Sequence, residues 1–82
     1  MEIRVEFYGV LQEVVGTAAA AWPLATDDCT VSQLLDELRE RFPGLAAHMP
    51  RLAFAVGDQI VPRGHPLRSG DTLALLPPVS GG

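Results

Sequence analysis

The sequence predicts an α+β fold in which a mixed sheet of four to five strands wraps one principal helix. Two observations support this prediction: one strongly amphipathic helix pattern lies in the middle of the chain, and two segments with strand-like alternation lie near its ends. A single amphipathic helix must bury its apolar stripe against the apolar face of a sheet. The chain of 82 residues has room for one small domain.

The first predicted strand covers residues 2–8. Ile3, Val5 and Phe7 alternate with charged residues, so they point to one face of the strand. Gly9 then ends the strand. This alternation predicts a strand with one buried face.

The next two segments carry weaker patterns. Residues 10–15 are predicted to form one or two helical turns that stop at Gly16, a residue that favours helix ends. Residues 17–24 are predicted to form an edge strand, because Pro23 has no amide hydrogen and is tolerated where no neighbouring strand needs one.

The principal helix has the clearest signals. Thr30 is predicted to cap it, with Gln33 at the capping-box spacing. Glu37 and Arg41 stand one helical turn apart and are expected to pair. An apolar stripe follows the helical period: Val31, Leu34, Leu35, Leu38 and Phe42.

The C-terminal half reads as three short strands. Residues 51–56 and 59–61 are predicted to form a hairpin around Gly57-Asp58, where glycine supplies the positive φ of a tight turn. Residues 72–76 are the last strand. The first and last strands have the best apolar alternation and are predicted to pair at the centre of the sheet.

Composition excludes several function classes. The net charge is −4, so no basic excess is available to neutralise nucleic-acid phosphates. No apolar run approaches the length of a membrane span, and no signal peptide is evident. Cys29 is the single cysteine, which rules out an internal disulfide and favours a reducing, cytoplasmic setting.

The last residues of the chain form a predicted extended tail, separate from a domain over 1–76. Its two prolines favour a stiff, extended backbone. Its two glycines have no side chains, so a narrow channel can close around them. The tail, residues 77–82, reads Pro77-Pro78-Val79-Ser80-Gly81-Gly82.

This tail, with the segments before it, resembles the ubiquitin-like β-grasp sulfur carriers, the family that includes the small subunit of molybdopterin synthase. The resemblance also rests on residues 7–16, on the helix that starts at Thr30, and on His65-Pro66-Leu67. One departure is visible: Gln12-Glu13 stands where the family often has Arg-Glu.

The resemblance implies a reaction sequence centred on Gly82. A ubiquitin-activating-type enzyme would adenylate the Gly82 carboxylate with ATP, and a sulfur donor would convert it to a thiocarboxylate. The tail would then donate sulfur to a cyclic pyranopterin precursor inside the large subunit of molybdopterin synthase, in a heterotetramer. The chain would bind no cofactor itself and would not be catalytic alone, and Val79 and Ser80 would contact the channel.

Strand parity predicts a docking patch beside the tail. If Phe7 and Leu75 face the core, Tyr8 and Leu76 face outward. Parity leaves Ile60 or Val61 as the outward residue of the hairpin, and the resemblance favours Ile60. Exposed apolar patches mark interaction sites, so we expect Tyr8, Ile60 and Leu76 to contact a partner.

Three alternatives remain at this stage. The chain could carry sulfur to another product, such as the thiazole of thiamine. It could also be a protein modifier that becomes attached to lysines of other proteins. It could also be an interaction domain with an inert tail. No metal site or catalytic constellation is predicted, because Cys29, His48 and His65 lack suitable spacing and neighbours.

Overall fold

The computed structural model of the protein describes residues 1–24, 26 and 28–78, and it confirms the predicted order of helices and strands. Two short 3₁₀ turns, Pro43–Ala47 and Met49–Arg51, follow the principal helix. The helices are α1 (Val10–Val15) and α2 (Val31–Arg41). The strands are β1 (Glu2–Phe7), β2 (Ala19–Pro23), β3 (Ala53–Val56), β4 (Gln59–Val61) and β5 (Thr72–Leu76).

The five strands form one mixed sheet in the order β2-β1-β5-β3-β4. The first and last strands pair in parallel at its centre, as predicted, with Phe7 opposite Leu75. All other pairings are antiparallel. This topology confirms the ubiquitin-like β-grasp fold.

Helix α2 covers the inner face of the sheet. Its predicted capping box is present: the Thr30 hydroxyl accepts the Gln33 amide at 3.2 Å, and the Gln33 side chain accepts the Thr30 amide at 2.9 Å. The stripe from the helix meets Ile3, Val5 and Phe7 from β1 in a single core. Within that stripe, four residues are buried and Phe42 is partly buried: Val31, Leu34, Leu35, Leu38 and Phe42.

Two local predictions are corrected by the structure. The third strand begins at Ala53 rather than residue 51, because Met49–Arg51 forms a 3₁₀ turn around Pro50. The expected pair of Glu37 with Arg41 is replaced by another contact. The Glu37 carboxylate instead accepts the indole N–H of Trp22 at 3.3 Å, which ties α2 to the edge strand β2.

The β3–β4 hairpin turns as predicted at Gly57, whose φ is +60°. Asp58 does not share the positive φ, so the turn has the pattern of type II′ rather than type I′. Register then places Val61 opposite Phe54 and Ile60 opposite Ala55. The hairpin therefore sends Val61 to the core and Ile60 to the other face.

Within the described residues, none of the helices is long and apolar enough to cross a bilayer.

Candidate functional site

The tail leaves the domain from the centre of the sheet. Strand β5 ends at Leu76, Pro77 is half-buried, and Pro78 is exposed. The remaining predicted tail residues lie outside the described residues: Val79, Ser80, Gly81 and Gly82. The structure thus describes the base of the predicted tail, where the chain departs from the strand that pairs with β1 and β3.

The outer face of the sheet is the side away from α2. The part of this face that lies on β3, β4 and β5, next to the tail, is apolar. We call this surface the apolar half. Ile60 is its most exposed member, with 69% of its surface accessible. Ala74 is almost fully covered by its neighbours, while Leu76 and Ala55 are half-buried. The apolar half comprises Ala53, Ala55, Ile60, Ala74 and Leu76.

The outer face of β1 is charged, and its side chains form a short hydrogen-bonded chain. The Arg4 Nε donates to Glu6 Oε2 at 3.1 Å, and the Tyr8 hydroxyl donates to Glu6 Oε1 at 2.8 Å. These two contacts, led by that of Tyr8, hold the pKa of Glu6 below its ordinary value. The Glu6 carboxylate in turn raises the pKa of the Tyr8 hydroxyl. A charged row, Arg4–Glu6–Tyr8, therefore borders the apolar half.

The structure brings the three predicted docking residues to one face, but not into one tight cluster. Leu76 continues the register of β1 with β5 beside Tyr8. Ile60 lies two strands away from β5, at about 10 Å for a strand spacing of about 4.8 Å. Alanines from β3 and β5 lie between Ile60 and Leu76, so the apolar surface between these two residues is continuous.

The buried part of the domain, over the described residues, is apolar. No polar or charged side chain is buried there, and no group of His, Cys, Asp or Glu could hold a metal ion. The Cys29 thiol is 5% exposed, and burial raises its pKa, followed by the effect of Glu37. A thiol of this kind is protonated and unreactive at neutral pH.

Trp22 and His65 both lie in contacts that hold α2 in place. The indole of Trp22 packs beside Phe42, with ring centroids 6.2 Å apart. The carbonyl of His65 accepts the amide of Val31 at 3.0 Å, and Pro66 forms a bridge with Thr30. The loop that contains His65 therefore fastens the start of α2.

Sequence reasoning missed two features of this face. Strand parity also places Ala53, Ala55 and Ala74 on the outer face. Small residues are a weak signal of a docking surface, so these three were not predicted as part of it. The spacing of Arg4, Glu6 and Tyr8 at every second position was visible as well. What the alternation could not show is which rotamers bring their polar atoms into contact.

Comparisons with known proteins agree with this geometry. The model of the ThiS family matches residues 5–82. A chain from Escherichia coli (strain K12) named "Molybdopterin synthase sulfur carrier subunit" is 37% identical, and the alignment covers 98% of this chain and 99% of that one. A chain from Haloferax volcanii named "Small archaeal modifier protein 3" is 30% identical, with 100% of both chains covered.

Among solved structures, one similar chain comes from a protein–protein complex of subunits 1 and 2 of the molybdopterin-converting factor of Helicobacter pylori 26695. It superposes with a TM-score of 0.70 at 29% identity, and all of both chains is covered. The fold described above is therefore shared along the whole length with that Helicobacter pylori chain.

Proposed function

The chain belongs to the ThiS family of β-grasp proteins, and from that membership we propose that it is the sulfur carrier subunit of a molybdopterin synthase. The observation that carries the proposal is the full-length likeness, at 37% identity, to a chain of that name. The proposal keeps the division into a domain over 1–76 and a tail over 77–82. It also includes a cytoplasmic location.

The reacting group in this proposal is the terminal carboxylate of Gly82. A carboxylate is ionised at neutral pH, since its reference pKa is about 3.3–3.7, and it is a poor acyl donor. Adenylation by a partner enzyme with ATP releases pyrophosphate and gives the acyl carbon a good leaving group. A sulfide-level sulfur nucleophile (HS⁻) from a donor then attacks the acyl carbon, the bond to the AMP oxygen breaks, and the products are the Gly82 thiocarboxylate and AMP.

The domain's part in this chemistry is presentation. The described residues hold no buried polar or charged side chain and no group of His, Cys, Asp or Glu that could hold a metal ion, and in this proposal the partners supply the ATP and the sulfur nucleophile. Pro77 and Pro78 restrict the backbone where the chain leaves β5 and so lower the entropy lost on docking. From Pro77 to Gly82 the chain can reach at most roughly 20 Å, enough to enter a buried site.

The apolar half is the surface that we propose for the large subunit of the synthase. It includes Leu76, the residue directly before the tail. A partner that covers Ile60 would remove a large exposed apolar side chain from water. The related chain in the Helicobacter pylori complex is bound to a second subunit, which supports a partner of this kind. In the synthase that partner would receive the thiocarboxylate and transfer its sulfur to a cyclic pyranopterin precursor.

Intact-mass measurement tests the proposal directly. The protein is incubated with ATP, a ubiquitin-activating-type enzyme and a sulfur donor. The expected product is heavier by the difference between one sulfur and one oxygen atom. A chain that lacks Gly82 serves as the control and should gain nothing, while its thermal unfolding stays unchanged.

The proposal is wrong if the full-length protein gains no sulfur with an activating enzyme that loads another carrier. It is also wrong if the chain without Gly82 still restores molybdoenzyme activity in a deficient strain.

A second candidate function is single attachment to other proteins, and the 30% identical modifier protein favours it. The same adenylated Gly82 would then acylate a lysine amine instead of accepting sulfur. The chain contains no lysine, so it cannot form isopeptide-linked chains of itself.

Mass spectrometry separates the two functions. Trypsin cleaves after lysine and arginine, and the last such residue is Arg68. A conjugated lysine would therefore carry the remnant of residues 69–82. Such remnants on cellular lysines, found only when Gly82 is present, would establish the modifier function.

A further inference from the structure

Gly9 turns the chain immediately after β1, in a conformation that favours glycine. Its φ is +57° and its ψ is −135°, and the Leu11 amide donates to the Tyr8 carbonyl at 3.1 Å. These values match the first central position of a type II′ turn. Gly57, in the β3–β4 hairpin, has the same positive φ at the same position of its turn.

The two turns differ in what lies beside them. A Cβ at Gly57 would meet nothing within 4 Å. A Cβ at Gly9 would lie 3.1 Å from Cγ of Pro77, the first residue of the tail. The contact follows from the sheet, because β1 and β5 run in parallel and register places Gly9 beside Pro77 where the two strands end.

We propose that Gly9 is a positioning residue for the tail. Because Gly9 has no Cβ, the Pro77 ring can lie against its Cα, and this contact sets the direction in which the chain leaves β5. The inference rests on the proposed function, since the direction matters only if Gly82 must reach a partner's active site. The residue before Pro77, Leu76, is held in the sheet opposite Ala53, whereas the residue after it, Pro78, is exposed. A side chain at residue 9 would therefore push the Pro77 ring away from β1 and change the direction of the residues that follow Pro77.

Gly9→Ala tests this role, with Gly57→Ala as the matched control. Both variants place a Cβ at a positive φ, so both carry backbone strain, but only Gly9→Ala presses on Pro77. Loading of sulfur is followed as initial rate against carrier concentration, at a temperature where unfolding curves show each variant folded. Small displacements of a reacting group can slow a reaction up to about 100-fold, and we expect kcat to fall about tenfold for Gly9→Ala.

The split between kcat and KM separates positioning from mere destabilisation. A misdirected tail leaves docking intact, so KM should stay near its wild-type value while kcat falls. Partial unfolding would do the reverse, since it lowers the concentration of folded carrier and raises the apparent KM. Gly57→Ala should keep the wild-type kcat.

A second variant locates the effect at the Pro77 ring. Pro77→Ala removes Cγ, so Gly9→Ala should lower kcat much less in that background than in the wild type. An NMR cross-peak between the Gly9 α protons and the Pro77 γ protons checks the contact without any loading reaction.

Three results would overturn the inference: equal kcat for Gly9→Ala and Gly57→Ala, the same loss with and without the Pro77 ring, or no cross-peak. A wild-type protein that gains no sulfur would instead remove the proposed function, and the positioning role with it.

Discussion

Leu75 and Leu76 are neighbours on one strand, yet they lie in opposite surroundings. Leu75 faces α2 and has no accessible surface, while Leu76 faces outward in the apolar half. The same division separates Val61, which is 8% exposed, from Ile60, which is 69% exposed. The inner face of the sheet is apolar because α2 packs against it, whereas the apolar half of the outer face is covered by no helix of the described residues.

A second division runs along the outer face itself. Beside the apolar half, β1 presents Arg4 and Glu6, with Tyr8 hydrogen-bonded to them. A surface evolved only for solubility would continue the charges across β3, β4 and β5. Contiguous exposed apolar surface is typical of interaction sites. In the proposed function the inner face serves folding and the apolar half serves recognition, and a substitution can break either assignment.

The largest expected effect is on the inner face. Leu75→Ala should lower the free energy of unfolding by about 2–5 kcal/mol, because it removes buried methyl groups and leaves a cavity. Urea-induced unfolding, followed by circular dichroism, measures the change.

Leu76→Ala is the matched control, one residue away on the same strand. Because Leu76 is only half-buried, Leu76→Ala should lower the free energy of unfolding by about 1 kcal/mol or less. Equal losses at Leu75 and Leu76 would show that both faces serve stability, and the comparison between the faces would fail.

The next expected effect is on recognition by the outer face. Ile60→Asp should weaken binding of the synthase large subunit at least about tenfold, equivalent to about 1.4 kcal/mol, because a charge replaces an apolar contact. Isothermal titration calorimetry measures the affinity, and thermal unfolding confirms that the variant is folded.

Gln59→Asp controls for the added charge and for the poor fit of aspartate in a strand. Gln59 precedes Ile60 on β4 and points to the other side, so its replacement should change the affinity less than about twofold. If both variants bind equally well, Ile60 is not part of the docking surface.

The inner face was predictable from the sequence, since a periodic pattern specifies it. Helix spacing identified the stripe of α2, and alternation identified Ile3, Val5 and Phe7. Packing the helix stripe against the strand face buries both patterns in one core. The capping box at Thr30 was predictable for the same reason, because its two hydrogen bonds are local.

The outer face was only partly predictable, because its contacts join residues from different strands. Parity could not choose between Ile60 and Val61. The choice depends on the II′ turn at Gly57, which sets the register of β4. The contact of Pro77 with Gly9 could be predicted only once the parallel register of β1 with β5 was known. Local pattern thus predicts which residues form an element, but register decides which residues meet.

The smallest expected effect concerns the border between the two halves, where Tyr8 donates a hydrogen bond to Glu6. In Tyr8→Phe the pKa of Glu6 should rise toward its ordinary value, because its largest source of lowering is removed. Part of the lowering should remain, since Arg4 still contacts the carboxylate. The carbon-13 shift of the Glu6 carboxyl, followed against pH, measures this pKa.

The sign of the pH dependence follows from the two shifts. The folded pKa of Glu6 lies below its unfolded value, so the contact stabilises the fold at higher pH and is lost as pH falls through the folded pKa. The folded pKa of Tyr8 lies above its unfolded value, so this contribution is lost as pH rises through it. Glu6→Gln should correspondingly lower the pKa of Tyr8. If Tyr8→Phe leaves the pKa of Glu6 unchanged, the hydrogen bond does not persist in solution, and Tyr8 belongs with the apolar half rather than with the charged row.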